Sequence, residues 1–399
     1  MKEFRDSRFI ITTSWLLVLV AVACSCCCDV THAFQLAPSS SVVRVQLAAE
    51  TTGATSGITI SASSNSGEYL PPPEFGLYEV QEEMLVKRGK LEEELMEGNH
   101  RPLKAKKMRG VGQSKGFGGG GSGGGGSAFK QAGKIYAKEL RKEGLARIDN
   151  VLTPDIADEM RNFAFDLRQD SEEQIQAGNV KRIERFADVL LRENRCDLTI
   201  PLGPKPVMNA LNYLFVTNPV LKATIEEMLS EKAALYELSC LISDPGSNRQ
   251  VVHPDNPYRD DMSDPVLLTC FIALQDIDLN MGPTVWIPRT HNSGKIHEQF
   301  QDEIVQDGEE ECPKDQLLRT RPTVLGTLPK GSCVIYDSRL LHCGTANKSY
   351  ETDNPQSRAL FYFSFRNPKI LNPGNPASIR QDLGRARLTM TELVTQVSP

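Results

Sequence analysis

The stretch Ser243-Asp244-Pro245-Gly246-Ser247-Asn248-Arg249-Gln250-Val251-Val252-His253-Pro254-Asp255 follows an apolar run and ends in two metal-binding side-chain types. Extended backbone sends alternate side chains to one face, so His253 and Asp255 project together while Pro254 points away. An imidazole and a carboxylate side by side can hold a divalent cation, but two ligands make a weak site. The third must come from a distant part of the chain. With only 6 histidines available, His342 in Tyr336-Asp337-Ser338-Arg339-Leu340-Leu341-His342-Cys343-Gly344 is the best placed. It lies just beyond an apolar strand pattern, Cys333 to Tyr336, that a hairpin-rich domain can bring back beside the first stretch.

Outward from this stretch the texture is that of short strands. Leu235–Ile242, Pro265–Leu274, Thr284–Pro288, Cys333–Tyr336 and Arg358–Phe365 are apolar segments separated by Gly, Pro, Asp and Asn turns. Upstream the period changes. Lys130–Glu143 and Asn218–Glu231 read as helices, and Gly144–Ile148 as a short strand. Thr153 caps a further helix, with Pro154 at its first position, and that helix turns Ile156, Met160, Phe163 and Leu167 inward. Helices first and antiparallel strands after predict an α+β, mainly β fold, a jelly roll or barrel carrying N-terminal helices.

The N-terminal third has a different character. Lys2, Arg5 and Arg8 precede a nearly uncharged run from Phe9 to Cys28, and Thr31-His32-Ala33 ends it, the layout of a signal peptide over residues 1–33. A membrane anchor is the rival, but Thr12, Thr13, Ser14 and Ser25 dilute the run. Residues 34–67 are hydroxyl-rich and carry only Arg44 and Glu50 as charges, which matches a transit-peptide-like segment. The junction Ala33-Phe34-Gln35-Leu36-Ala37-Pro38 resembles the cleavage junction of bipartite presequences in algae with secondary plastids. That resemblance implies a plastid location, with a secreted or endomembrane destination as the alternative. No stable membrane anchor is expected once the presequence is removed. Residues 68–127 read as a charged helix, Leu77 to Met96, then a basic arm from Arg101 to Arg109 and a Gly-Ser tether from Gly116 to Ser127. The tether spans roughly 20 Å root-mean-square as a random coil. The helix reads as solvated, with partner binding as its alternative; the folded domain is expected over residues 128–393.

Composition excludes little but is consistent. A formal charge of −6 argues against a nucleic-acid partner. Of 10 cysteines, four sit in the leader and the other six lack CxxC spacing, so neither a zinc knuckle nor a disulfide framework is indicated. Oligomeric state is not legible.

Two histidines and one carboxylate on a hairpin-rich scaffold form a facial triad, which leaves three positions of an octahedral ion open and is used by non-haem Fe(II) oxygenases. Arg358 shares a strand face with Leu360 and Tyr362, opposite Phe361, Phe363 and Phe365. A guanidinium there can grip a carboxylate in bidentate fashion. Asn280-Met281-Gly282-Pro283-Thr284-Val285-Trp286-Ile287-Pro288-Arg289-Thr290-His291 gives a turn, strand and turn between the ligand segments. These segments together resemble the phytanoyl-CoA dioxygenase family of Fe(II)- and 2-oxoglutarate-dependent oxygenases, from about Gly144 to Phe365.

The resemblance implies a double-stranded β-helix (jelly roll, cupin-like). It implies His253, Asp255 and His342 as iron ligands, and Arg358 as anchor of the distal carboxylate of 2-oxoglutarate, with Arg366 as fallback. Gln250 and Phe271 fall where the family lines the cosubstrate pocket, and Thr345 could add a hydroxyl to that carboxylate. Fe(II), 2-oxoglutarate and O2 would be used to oxidise a small-molecule substrate. Because halogenating relatives lack the carboxylate ligand, Asp255 implies hydroxylation or another oxidation rather than halogenation. Two alternatives remain: a zinc- or manganese-dependent lyase or hydrolase on a cupin-like barrel, and a non-catalytic interaction protein. His291 reads as a structural hydrogen-bonding residue and His297 as a surface one. The helices before Leu235, and Arg182 to Pro201 above all, are expected to cover the pocket.

Overall fold

The computed structural model describes residues 32–35, 42–45, 76–105, 125–186, 193–258, 260, 264–370 and 388–398. The apolar leader, most of the hydroxyl-rich segment and the tether from 116 to 124 lie outside them. The chain divides into two compact units, Met1–Phe75 and Gly76–Pro399. Within the first, strands β1 (His32–Gln35) and β2 (Val42–Val45) pair antiparallel.

The second unit opens with α1 (Gly76–Met96), β3 (His100–Pro102), α2 (Gly125–Glu143), β4 (Leu145–Ile148) and α3 (Pro154–Gln176). It continues with β5 (Arg195–Thr199), α4 (Lys205–Asn212), α5 (Val220–Leu229), β6 (Ala234–Ser243), β7 (Leu267–Ala273) and β8 (Thr284–Trp286). Then come α6 (Gly294–Gln301), α7 (Pro313–Thr320), β9 (Thr323–Leu325), β10 (Cys333–Asp337), β11 (His342–Gly344), β12 (Arg358–Arg366) and α8 (Met390–Val397). Thr153 caps α3 as its sequence predicts, its hydroxyl accepting the Ile156 N–H at 3.3 Å.

Six strands form one sheet in the order β4-β10-β7-β12-β6-β5, and four form another in the order β11-β8-β9-β3. From β6 to β12 the chain passes back and forth between the two sheets, with β6, β7, β10 and β12 in the large one and β8, β9 and β11 in the small one, the double-stranded β-helix topology. β7 and β12 are buried at every position, because the six-stranded sheet is covered on both faces. Phe361, Phe363 and Phe365 face the helices, where Phe215 meets the last two edge-on at 5.4 and 5.7 Å. Leu360 and Tyr362 face the barrel interior with Phe271, Trp286 and Tyr336. Each large side chain buried this way contributes about 1.5–3 kcal/mol.

Three expectations are corrected. Arg195–Thr199 is not part of a helical cover: it extends the large sheet as an edge strand antiparallel to β6, and its alternation sends Asp197 inward. The helix read as solvated is instead packed by its C-terminal half, with Leu95 and Met96 buried against Val252, Val285, Leu317 and Leu341. Its charges, which come in runs such as Glu92-Glu93-Glu94, outnumber the two apolar residues it buries in this cluster. α2 begins at Gly125, inside the Gly-Ser run, because the helix that follows carries those residues into its first turn.

Candidate active site

The segment 250–255 lies beside β11, the edge of the small sheet. Gln250 N–H donates to Gly344 O at 2.8 Å, and His253 and His342 exchange backbone hydrogen bonds, each of 2.9 Å. That exchange puts the two imidazoles side by side, with ring centroids 4.6 Å apart. The Asp255 and Asn256 amides both donate to Ser338 O, at 2.8 and 2.9 Å. The tight turn supplying that carbonyl is locked by a buried Asp337–Arg339 pair, with Nη2 to Oδ2 at 2.7 Å. His253, Asp255 and His342 therefore converge, their ligand atoms within 4.8 Å of one another.

The electronics of the cluster suit a cation. Nδ1 of His253 lies 2.8 Å from Val251 O, and Nδ1 of His342 lies 2.9 Å from Leu340 O. A carbonyl only accepts, so each Nδ1 carries the proton and each neutral ring presents an Nε2 lone pair. Those Nε2 atoms lie 3.9 and 3.5 Å from Asp255 Oδ1. The other carboxylate oxygen accepts a hydrogen bond of 3.0 Å from Tyr336 Oη. Burial, then the charge of Asp255, pushes the Tyr336 hydroxyl well above its ordinary value, so it stays a donor. Two imidazole nitrogens and one carboxylate oxygen, each oriented from behind, fit a divalent metal with open coordination positions.

Arg358 opens β12 in register with Ser243, and Arg195 meets the same serine from the other side. The Arg358 guanidinium is fully buried. Its Nη1 donates to Gly282 O and its Nη2 to Ser243 Oγ, the latter at 3.0 Å, while Nε has no hydrogen-bond partner. No carboxylate among the described residues pairs with it. Burial, and then Arg195, pushes its pKa down to about 9. Gly282 sits at φ +70°, and a Cβ there would fall 2.6 Å from Thr345 O, so only glycine allows this turn to pass so close. Thr345 Oγ1 donates to the adjacent Pro283 O at 2.8 Å, which puts its hydroxyl beside the same turn. A cation of this kind, with a hydroxyl nearby, fits a carboxylate-bearing cosubstrate.

The remaining expected residues separate. Phe271 lies on the interior wall, edge-on to Tyr336 at 5.1 Å and to Tyr362 at 5.5 Å. Gln250 Oε1 accepts the Gly344 N–H at 2.8 Å, which leaves its amide N–H2 as the group it can offer a ligand. Arg366 pairs in register with Ala234, at the opposite end of β12 from Arg358, so the two arginines cannot serve one carboxylate. His291 is buried and its Nε2 lies 3.3 Å from Arg141 O; burial holds its pKa below the ordinary value. His297 is not at the surface: α6 folds it in to 4% exposure and Tyr258 stacks on it at 5.6 Å. Arg289 adopts φ +65°, a conformation uncommon for a side-chain-bearing residue, and clasps Glu143 at 2.8 and 2.7 Å.

Several interior polar residues escaped the sequence reading. Tyr362 Oη donates to Asp197 Oδ2 at 2.7 Å. Ser364 Oγ lies 2.5 Å from Glu237 Oε2, and burial pushes the Glu237 carboxyl up to about 8. Alternation along β5 and β6 could have flagged Asp197 and Glu237, since each falls, like Tyr362, on the face opposite the Cys240–Phe361 side.

Solved structures with related backbones include the non-haem alpha-ketoglutarate-dependent epimerase SnoN from nogalamycin biosynthesis, at 17% identity, covering 59% of this chain and 81% of that one with a TM-score of 0.40. The carbocyclase SnoK from the same biosynthesis is 16% identical, covering 61% and 92%, with a TM-score of 0.39. HygX from Streptomyces hygroscopicus, solved with nickel and 2-oxoglutarate bound, is 12% identical over 63% and 98%, with a TM-score of 0.40. Likenesses this distant carry no argument about activity. No curated protein matches the chain. A family model does: residues 140–352, more than half of the chain and inclusive of His253, Asp255 and His342, match the phytanoyl-CoA dioxygenase (PhyH) model. Enzymes of that family use Fe(II), 2-oxoglutarate and O2, and the donors described above suit the metal and the carboxylate of the cosubstrate. The chain belongs to the phytanoyl-CoA dioxygenase family.

Proposed function

We propose that this oxygenase hydroxylates a C–H bond of a small organic molecule, with release of succinate and CO2. One observation carries the reading: a His253–Asp255–His342 cluster shares its barrel with a buried Arg358 guanidinium that meets no carboxylate. When bound, Fe(II) with 2-oxoglutarate and O2 supplies the oxidising chemistry, oxidative decarboxylation of the cosubstrate with transfer of an oxygen atom to the substrate. The protein's residues do the rest. Nε2 of both histidines and Oδ1 of Asp255 would hold the metal. Arg358 grips the distal carboxylate of 2-oxoglutarate, and the anion offsets the burial that depresses the guanidinium. Gln250 adds its amide N–H2, and the Thr345 hydroxyl reaches the carboxylate by turning its proton away from Pro283 O. Phe271, Leu360 and Tyr362 form an interior wall that keeps water away. Halogenating relatives lack the carboxylate ligand, so the presence of Asp255 favours oxygen transfer over halogenation.

Titration of 2-oxoglutarate into the Fe(II)-loaded protein without oxygen tests the reading. A chelate charge-transfer absorption is expected. Its absence in a protein that binds metal would favour a zinc or manganese lyase or hydrolase. His253→Ala or Asp255→Ala is expected to abolish succinate formation, and full turnover in both with added iron would overturn the site.

We also place the mature protein in a plastid, on the leader pattern of residues 1–67. No helix among the described residues is long and apolar enough to cross a membrane. A fluorescent protein carrying residues 1–67 at its N-terminus is expected to enter the plastid of an alga with secondary plastids; retention in the secretory pathway would support the endomembrane alternative.

A further inference from the structure

The geometry points to Glu92, supplied by α1 from outside the span that the family model matches, as a positioning residue for the metal-ligand segment. The inference rests on reading His253, Asp255 and His342 as metal ligands. His253 turns its amide toward β11, and successive amides of an extended segment point to opposite sides, so the Val252 amide points away from β11. Val252 is buried, and among the described residues the small sheet has no strand beyond it to accept that hydrogen bond. Glu92 Oε2 does, at 2.6 Å.

Glu92 is 0% exposed, so its carboxylate must be held by compensating charge. Arg88 Nε donates to Oε1 at 3.0 Å and Lys314 Nζ lies 3.7 Å from the same oxygen. Arg88 is itself tied to Asp315 of α7, Nη2 to Oδ1 at 2.6 Å. The carboxylate is thereby fixed from two helices before it meets Val252. One turn earlier Gly89 lets the helix backbone come close: a Cβ there would lie 3.3 Å from Arg249 O. One turn later Met96 Sδ accepts from Arg249 Nη2 at 3.2 Å. Residues 89, 92 and 96 thus form one helix face laid along the residues immediately before His253.

The consequence reaches the metal ligand through the backbone. The His253 ring is oriented by its own hydrogen bond to Val251 O, and Val251 and His253 flank the amide that Glu92 holds. Loosening Val252 lets both the anchor and the ring drift, and partners behind a ligand typically matter by 10–100-fold in metal affinity. In the sequence, Glu92 is one of three consecutive glutamates and indistinguishable from its neighbours; Glu93 is half-buried and pairs with Lys348 at 3.2 Å.

The test uses the full chain with Co(II) as probe. Glu92→Met, which removes the acceptor but keeps the volume, is expected to weaken Co(II) binding about tenfold or more, to alter the Co(II) absorption spectrum, and to speed amide exchange at Val252. Glu92→Gln, which keeps a carbonyl acceptor, is expected to stay within about threefold of the wild type by the same reasoning. Wild-type affinity and spectrum in Glu92→Met, even with a lowered melting temperature, would reduce Glu92 to structural glue and overturn the proposal. Where Glu92→Met does not fold, Glu92→Asp decides: the negative charge remains but its reach shortens, and unchanged Co(II) affinity overturns the proposal equally. A wild-type protein that binds no Co(II) would instead sink the reading of the triad, and the positioning role with it.

Discussion

Each triad histidine gives its Nδ1 proton to a carbonyl two residues back, so the tautomer that a metal needs is set by the backbone before any metal arrives. Asp255 is set by a side chain, Tyr336. Tyr336→Phe should therefore keep all three ligands yet weaken Fe(II) or Co(II) binding by about tenfold, measured by direct titration. An unchanged affinity would show that the hydroxyl does not tune Asp255. At Arg358 the shape of the cation matters as much as its charge. Arg358→Lys keeps the charge and loses the fork, so 2-oxoglutarate affinity should fall by roughly 10–100-fold with metal affinity intact. Arg289 allows a pH prediction, because its guanidinium holds the Glu143 carboxyl down to about 2. A folded pKa below the unfolded one means the pair stabilises fully above the ordinary value of 4.5, and loses that contribution as pH falls through about 2. The Arg289 side chain is 60% exposed, so solvent screening keeps the effect small. Denaturant melts of Arg289→Ala should run below the wild type at pH 7 and converge with it as the pH drops below 4.5.

Among the elements, α1 departs most from expectation. It was read as a solvated helix, yet Leu95 and Met96 close a cluster that includes Val252, next to His253, and Leu341, next to His342. Its continuation β3 adds a parallel strand to β9. Removing residues 1–98 should expose that cluster and leave a protein that melts lower and binds Co(II) poorly, whereas removing residues 1–75 should leave both properties intact. Equal melting temperatures for the two truncations would show that the helix is only an appendage. β12 illustrates the opposite case, an element whose role followed from its alternation. Its phenylalanines line the helix side while Arg358, Leu360 and Tyr362 line the interior. Phe363→Ala should cost about 3–5 kcal/mol, since the residue is fully buried between the sheet and Phe215.

For the whole molecule, metal and cosubstrate binding should appear as stability. A ligand at a hundred times its Kd adds about 2.7 kcal/mol, so Co(II) with 2-oxoglutarate should raise the melting temperature by a few degrees, and His342→Ala should abolish the rise. What the sequence by itself determined is which residues share a face and what chemistry they offer. Period-two alternation joins His253 to Asp255 and puts Arg358 on the face of Tyr362, because side-chain direction in a strand depends on nothing beyond the strand. Thr153 and Pro154 announce a helix start for the same local reason. Only the tertiary structure decided what each face meets. His297 looked solvated but is folded under Tyr258, and Arg195–Thr199 proved to be an edge strand rather than a cover. Glu92, identical in type to its neighbours, accepts a hydrogen bond from the amide next to His253. A charged residue on a helix reads the same whether water or a buried N–H lies opposite it, since that partner sits 160 residues away in sequence.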